Sequence, residues 1–178
     1  MILGVLGSIT KDRIVIERTN DEFHQVGGTV YYSSLTLAHL GASVISIPLL
    51  AEKDAHLLKT LTHKNIRCFP SWTRKTTFCE NRYPSDSHDV CERTIIEHAS
   101  DFSLTNEIIQ NLSSCSAIHL GPLAPDEFLA HTYTTLRKSF RGIIGLDGQG
   151  FLHGKQNYFT EIISGTIDIL KLSAHELV

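Results

Sequence analysis

The sequence carries none of the short signatures that would settle its chemistry at a glance. No Gly-x-x-x-x-Gly-Lys-Ser/Thr phosphate loop, no Gly-x-Ser-x-Gly nucleophile elbow and no His-Glu-x-x-His zinc helix occurs in it. Gly4-Val5-Leu6-Gly7 lacks the first close pair of glycines of a dinucleotide fingerprint, which weakens a nicotinamide-dependent oxidoreductase. Cysteine is scarce: Cys68, Cys79, Cys91 and Cys115 stand far apart with no Cys-x-x-Cys pair, so they read as reduced thiols and not as a secreted disulfide framework. The 10 histidines are not gathered at metal-ligand spacing. Positive charge is in short supply as well: 16 Lys and Arg against 19 Asp and Glu, scattered along the chain, argue against nucleic acid as a partner. Long apolar runs are missing. The opening stretch from Met1 to Ile9 has no basic residue and is too short for a span, so no membrane partner and a soluble, cytoplasmic protein are expected.

What is present is enough for a real core. With 178 residues, 42% of them hydrophobic and 20% charged, the chain can form one domain, and neither disorder nor a coiled coil fits. Ile2 to Leu6 reads as a strand buried on both faces and ending at Gly7-Ser8, and Ile14-Val15-Ile16 as a second extended stretch. After Gly27-Gly28 the period changes to that of a helix, Thr29 to Leu40, closed by Gly41. Val44 to Leu50 is a strand, Asp54 to His63 helical, and Ile66 to Phe69 a strand before Pro70. Such alternation predicts parallel βαβ units.

Between Thr73 and Ala99 the pattern breaks. Thr76-Thr77-Phe78 and Arg93-Thr94-Ile95-Ile96 are β-type cores around the turn-rich Tyr83 to Asp89, as in a hairpin that leaves the main sheet. Alternation then resumes, with strands over Ala117 to Leu120, Gly142 to Leu146 and Ile167 to Leu172, and helices over Asp126 to Lys138 and Tyr158 to Ile163. One α/β domain with an inserted β flap accounts for all of this.

Ligands of open parallel sheets bind beyond the carboxyl ends of the strands. Asp12 lies just past the first strand, where a carboxylate could accept two hydroxyl hydrogen bonds from a polyol; a plain turn Asp between Lys11 and Arg13 is the competing reading. Gly27-Gly28 opens a helix, which permits close backbone approach and exposes free amides, although packing alone also explains such a pair. At the other end, Ser173 with Glu176 makes a capping box for a helix of which only two residues follow. The fold is therefore expected to be completed by residues outside the sequence.

Taken in order, Gly7-Ser8-Ile9-Thr10-Lys11-Asp12, the block from Gly27 to Gly41, Gly121-Pro122, Asp147-Gly148-Gln149-Gly150-Phe151-Leu152 and Lys171 to Glu176 resemble the PfkB family of carbohydrate kinases. The resemblance covers the whole chain but only the amino-terminal part of the family. It implies a ribokinase-like three-layer α/β/α fold, with a mostly parallel sheet and a small β-stranded lid, truncated before its C-terminal part. Residues 1–178 would form one truncated domain, with the lid strands within about 12–26 and 74–98.

The resemblance also implies an activity: phosphate transfer from ATP to a hydroxyl of a sugar, nucleoside or cyclitol. By position, Asp12, Gly27, Gly28, Tyr32, Thr77 and Asn81 would bind the small-molecule polyol. Lys171, Ser173 and Glu176 would face the nucleotide, with Glu176 organising Mg2+ through water. Tyr32 stands where sugar-specific members carry an Asn, and Ser173 replaces an Asn of the family motif. The Gly-Ala-Gly-Asp segment that supplies the family's catalytic base does not occur, so the base is expected beyond Val178 and the chain alone is expected to be inactive. The alternative is a non-catalytic, ligand-binding or dimerising remnant, with a homodimer formed through the lid.

Overall fold

The computed structural model describes residues 1–64, 66–84, 91–100, 102–124, 126–148 and 165–172. Strand β1 (Ile2–Ser8) is the centre of the main sheet, as its apolar run requires. It is flanked by β4 (Ser43–Ala51) on one side and β9 (Ala117–Gly121) on the other, both parallel to it. Beyond β9 come β10 (Ile143–Asp147) and β11 (Ile169–Lys171), and beyond β4 the short β5 (Arg67–Cys68) and β6 (Ser71–Thr73). All of these pairs are parallel, as the alternating pattern predicts.

A second sheet stands on the carboxyl end of β1. Its order is β3 (Asp21–Gly27), β2 (Thr10–Ile16), β7 (Thr77–Tyr83) and β8 (Glu92–Glu97). The β2–β7 pair is parallel and the two outer pairs antiparallel. The predicted hairpin is thus β7–β8, and the extended stretch around Ile14 is its neighbour. The architecture is α/β: a parallel sheet carrying a small mixed β lid.

Two apolar clusters cover the main sheet. On one face Leu6, Ile45, Ile47, Ile118, Leu120, Ile144 and Leu146 pack against Ile108 and Leu112 of α3 (Asn106–Leu112) and Tyr133 and Leu136 of α4 (Ala130–Ser139). On the other, Val5, Ile9, Val44 and Leu50 pack against Val30 of α1 (Thr29–His39) and Leu61 of α2 (Lys59–His63). Among the described residues no helix is long and apolar enough to cross a membrane.

Several boundaries differ from the sequence reading, each for a local reason. The stretch from Asp54 begins as a 3-10 turn over Glu52–Leu58 before becoming α2. The strand expected over Ile66 to Phe69 shortens to Arg67–Cys68, and after Pro70, which has no amide to donate to a ladder, β6 resumes the pairing with β4. The helix expected from Asp126 starts at Ala130, and α3 has no counterpart in the sequence reading although Thr105 caps it, accepting from the Ile108 amide at 3.2 Å. The Gln149-Gly150-Phe151-Leu152 part of the loop after β10, the helix over Tyr158 to Ile163, and Ser173 and Glu176 lie outside the described residues.

Candidate functional site

The site grows from the step between the two sheets. Ser8 closes β1 and Thr10 opens β2, so one short stretch turns from the main sheet into the lid. Within β2, alternation sends Thr10, Asp12 and Ile14 to one lid face, and the register carries that face across the sheet. Gln25, Asp12 and Cys79 form one row with Ile95, and Phe23, Ile14 and Asn81 form the next with Arg93.

Asp12 is the anomaly of this face. It is not a turn residue: it lies mid-strand and only 2% exposed. Among the described residues its Oδ1 has no hydrogen-bond partner, and neither has the Thr10 hydroxyl beside it. An unpaired buried carboxylate oxygen costs free energy that a fold accepts only where a ligand or water completes it.

Gly27 and Gly28 press against this pair. A Cβ on Gly27 would overlap the Asp12 carboxylate and lie 2.8 Å from the Thr10 hydroxyl. Gly28 has φ 94°, a conformation glycine adopts without strain, and a Cβ there would overlap the Ser8 carbonyl. Gly28 is also the N-cap of α1 and offers no side chain to its first amides. The two glycines therefore let a helix N-terminus pack closely against a buried carboxylate.

Asn81 comes to the same face from β7, 4% exposed, with its Oδ1 accepting from Arg93 Nε at 2.9 Å. Tyr32, half-exposed on α1, receives a long 3.4 Å hydrogen bond from Gln25. Burial, and after it the Asp12 charge, raises the Tyr32 phenol above its ordinary pKa, while Arg93 acts in the opposite sense. Tyr32 thus stands within the fields of Asp12 and Arg93.

Thr77 stands at the root of the lid, at the start of β7. It is fully buried, donates to Ser8 Oγ at 3.2 Å and accepts from the Ala99 amide at 2.9 Å. Ser8 donates in turn to Glu127 Oε1 at 2.7 Å, and Glu127 Oε2 accepts from the Leu123 amide at 2.9 Å. Glu127 is 0% exposed, and burial pushes its carboxyl up to about 8 against the pull of those two bonds. This chain of bonds ties the root of the lid to the loop after β9. Sequence reasoning missed Ser8, Gln25, Arg93 and Glu127: all sit in ordinary strand or helix-start contexts, and only the register and the burial give them meaning.

Lys171 lies elsewhere, at the carboxyl end of β11, three strands from β1 and thus about 14 Å away. Its ammonium is 3.1 Å from Asp147 Oδ2 at the end of β10. Among the described residues no three His, Cys, Asp or Glu side chains gather to hold a metal. One lysine engaged by a carboxylate does not by itself fit a nucleotide triphosphate and its Mg2+.

Beside α1, no element among the described residues covers this face of the strands β9 to β11. Ala117, His119, Ile143, Gly145 and Ile169 form the floor of an open trough of about 480 Å³, with Tyr32 and Leu37 of α1 along its wall. Ile143 and Ile169 are about half-exposed there, in a parallel sheet whose faces are ordinarily both covered.

An open parallel sheet with a small mixed β lid standing on its strand ends defines a class of α/β fold. No family model and no curated protein sequence matches the chain. Solved structures do. A pyrophosphate-dependent kinase in the ribokinase family, in a sulfate complex, superposes with a TM-score of 0.80 at 24% identity over 99% of this chain and 63% of its own. A pyrophosphate-dependent kinase of that family complexed with a pyrophosphate analogue and myo-inositol gives 0.78 at 23%, over 99% and 62%. Arabidopsis thaliana ribokinase, complexed with ribose and ATP, gives 0.73 at 17%, over 99% and 61%. The chain has the ribokinase-family fold, and it spans about three fifths of the length of these relatives.

Proposed function

We propose that the chain binds a small polyol, a sugar, nucleoside or cyclitol, against the lid face that carries Asp12, where the lid stands on the carboxyl ends of the main sheet, and forms the acceptor side of a phosphotransferase. The observation that carries this is Asp12 Oδ1: buried, unpartnered among the described residues, and packed against Gly27, where any Cβ would overlap the carboxylate. A vicinal diol would donate to the carboxylate and satisfy it. Asn81 and Gln25 border the same face and offer amide groups to further hydroxyls.

Phosphoryl transfer depends on positioning and on stabilising the charge in flight. Asp12 would position the acceptor hydroxyl, and the lid would exclude water. The donor belongs farther along the same carboxyl edge of the sheet, toward Lys171, and the structural relatives bound to donors or their analogues include one with ATP and one with a pyrophosphate analogue. The trough over β9 to β11 is the surface on which a further layer of polypeptide would pack to complete that side. Titration calorimetry with myo-inositol and ribose tests the acceptor reading, and phosphate release from ATP and from pyrophosphate tests transfer. Binding that Asp12→Asn abolishes supports the proposal; absence of binding to any polyol overturns it.

A further inference from the structure

Two neighbouring acidic residues fasten both ends of the lid. Asp126 and Glu127 lie in the loop between β9 and α4. Glu127 Oε1 accepts from Ser8 at 2.7 Å, and through Ser8 it holds Thr77 at the start of β7. Asp126 lies 2.8 Å from the His98 ring, where the chain leaves β8, and the Glu127 carbonyl accepts from the Phe102 amide at 3.3 Å. Thr77 joins the two ends by accepting from the Ala99 amide at 2.9 Å. The outer side of the lid root is tied separately: Lys11 pairs with Asp54 at 3.2 Å, and Thr76 accepts from the Ala51 amide at 2.9 Å. Loss of the inner contacts would therefore leave the lid attached along one side, which is the geometry of a hinge.

The inner contacts respond to protons because of what they bury. Burial pushes the Glu127 carboxyl up to about 8, against the pull of the Leu123 amide and the Ser8 hydroxyl, and the Asp126 charge pushes in the same direction as burial. Swung away from Ser8, the same carboxyl would meet water and regain its ordinary value of 4.5. Between these values the fastened form holds a proton that the released form gives up, so release becomes easier as pH rises. The neighbouring groups do not reverse this sign. His98 and Asp126 form an ion pair only while the ring is protonated, so rising pH weakens that contact too; both side chains are exposed, and the pair contributes little. Cys79 of β7, which feels the charges of Asp12 and Glu127, is pushed up to about 11 by burial and does not titrate in this window.

We infer that Asp126 and Glu127 form a proton-controlled latch: protonated, Glu127 holds the inner root of the lid to the loop after β9, and its ionisation lets the lid swing on its outer attachments as a unit smaller than the whole fold. The inference does not depend on a polyol at Asp12.

Hydrogen exchange of the full chain between pH 6 and pH 8, read as protection factors corrected for the intrinsic rate, tests it. The Ala99 amide reports the latch, and the amides of β1 and β4 report unfolding of the main sheet. In the wild type, Ala99 protection lies below that of the main sheet at every pH and falls by up to about tenfold per pH unit. Glu127→Gln can replace both hydrogen bonds with its amide and makes Ala99 protection independent of pH. His98→Gln lowers Ala99 protection slightly and keeps the slope. If Ala99 exchanges only together with β1 and β4, the lid root is no separate unit and the inference is wrong. A wild-type protection factor that does not change with pH, or a slope that survives Glu127→Gln, overturns it equally. The wild-type series decides the matter even if the variant folds poorly.

Discussion

The Ser8 hydroxyl donates to Glu127 at 2.7 Å inside a fully buried pocket, where the main sheet hands the chain over to the lid. Ser8 also receives Thr77 from the first lid strand of the hairpin, so the Glu127 carboxyl group on the loop after β9 fixes the lid through one intermediate hydroxyl. Glu127→Ala would leave Ser8 and the Leu123 amide unpaired in the interior. The expected loss is about 1–3 kcal/mol in urea denaturation, with the lid amides, Ala99 above all, losing hydrogen-exchange protection ahead of the main sheet.

Glu127 also gives stability a pH dependence of known sign. Its folded value of about 8 lies above the ordinary 4.5, so between those values the folded chain holds a proton that the unfolded chain releases. Its contribution to stability is therefore complete below the lower value, falls as pH rises through the window and levels off above about 8. Its slope cannot exceed about 1.4 kcal/mol per pH unit. Glu127→Gln removes it, so the stability of the wild type falls relative to that of the variant as pH rises from about 4.5 to about 8; parallel curves would contradict the assignment.

The glycine pair separates folding from binding. Gly28→Ala places a Cβ at φ 94° against the Ser8 carbonyl and should cost about 1–3 kcal/mol in thermal or chemical denaturation. Gly27→Ala meets the Asp12 carboxylate instead, so its larger effect should be on polyol affinity.

The uncovered trough predicts an unusual tolerance. Leu120→Ala, in the core between the sheet and α4, should cost about 2–5 kcal/mol. Ile143→Glu, one strand away on the open face, should change the stability of the isolated chain by no more than about 0.5 kcal/mol. A comparable loss for both would mean that the trough is covered in solution.

Much of the fold was legible because parallel strands buried on both faces leave continuous apolar runs, as in Ile2 to Leu6 and Val44 to Leu50, and because a change of period marks α1. The helix α3 was not, since Asn106–Leu112 is only seven residues long, too short to display a helical period, and its Thr105 cap is a single residue. In the site, position relative to strand ends pointed to Asp12 and the glycines. The sequence left Asp12 open to a turn reading because its neighbours Lys11 and Arg13 are charged; they point to the opposite lid face from Asp12, which only strand alternation reveals. Arg93 and Glu127 became visible only through pairing register and burial, which a single sequence does not carry.

The central claim is that Asp12 is held buried and unsatisfied for a ligand hydroxyl. Titration calorimetry with myo-inositol on the wild-type chain and on Asp12→Asn tests it most directly. The account predicts binding to the wild type, affinity reduced by about ten- to a hundredfold in the variant, and a folded state no less stable than before, since the substitution removes a buried charge. Equal affinity in the two proteins, or a variant that unfolds, would contradict it.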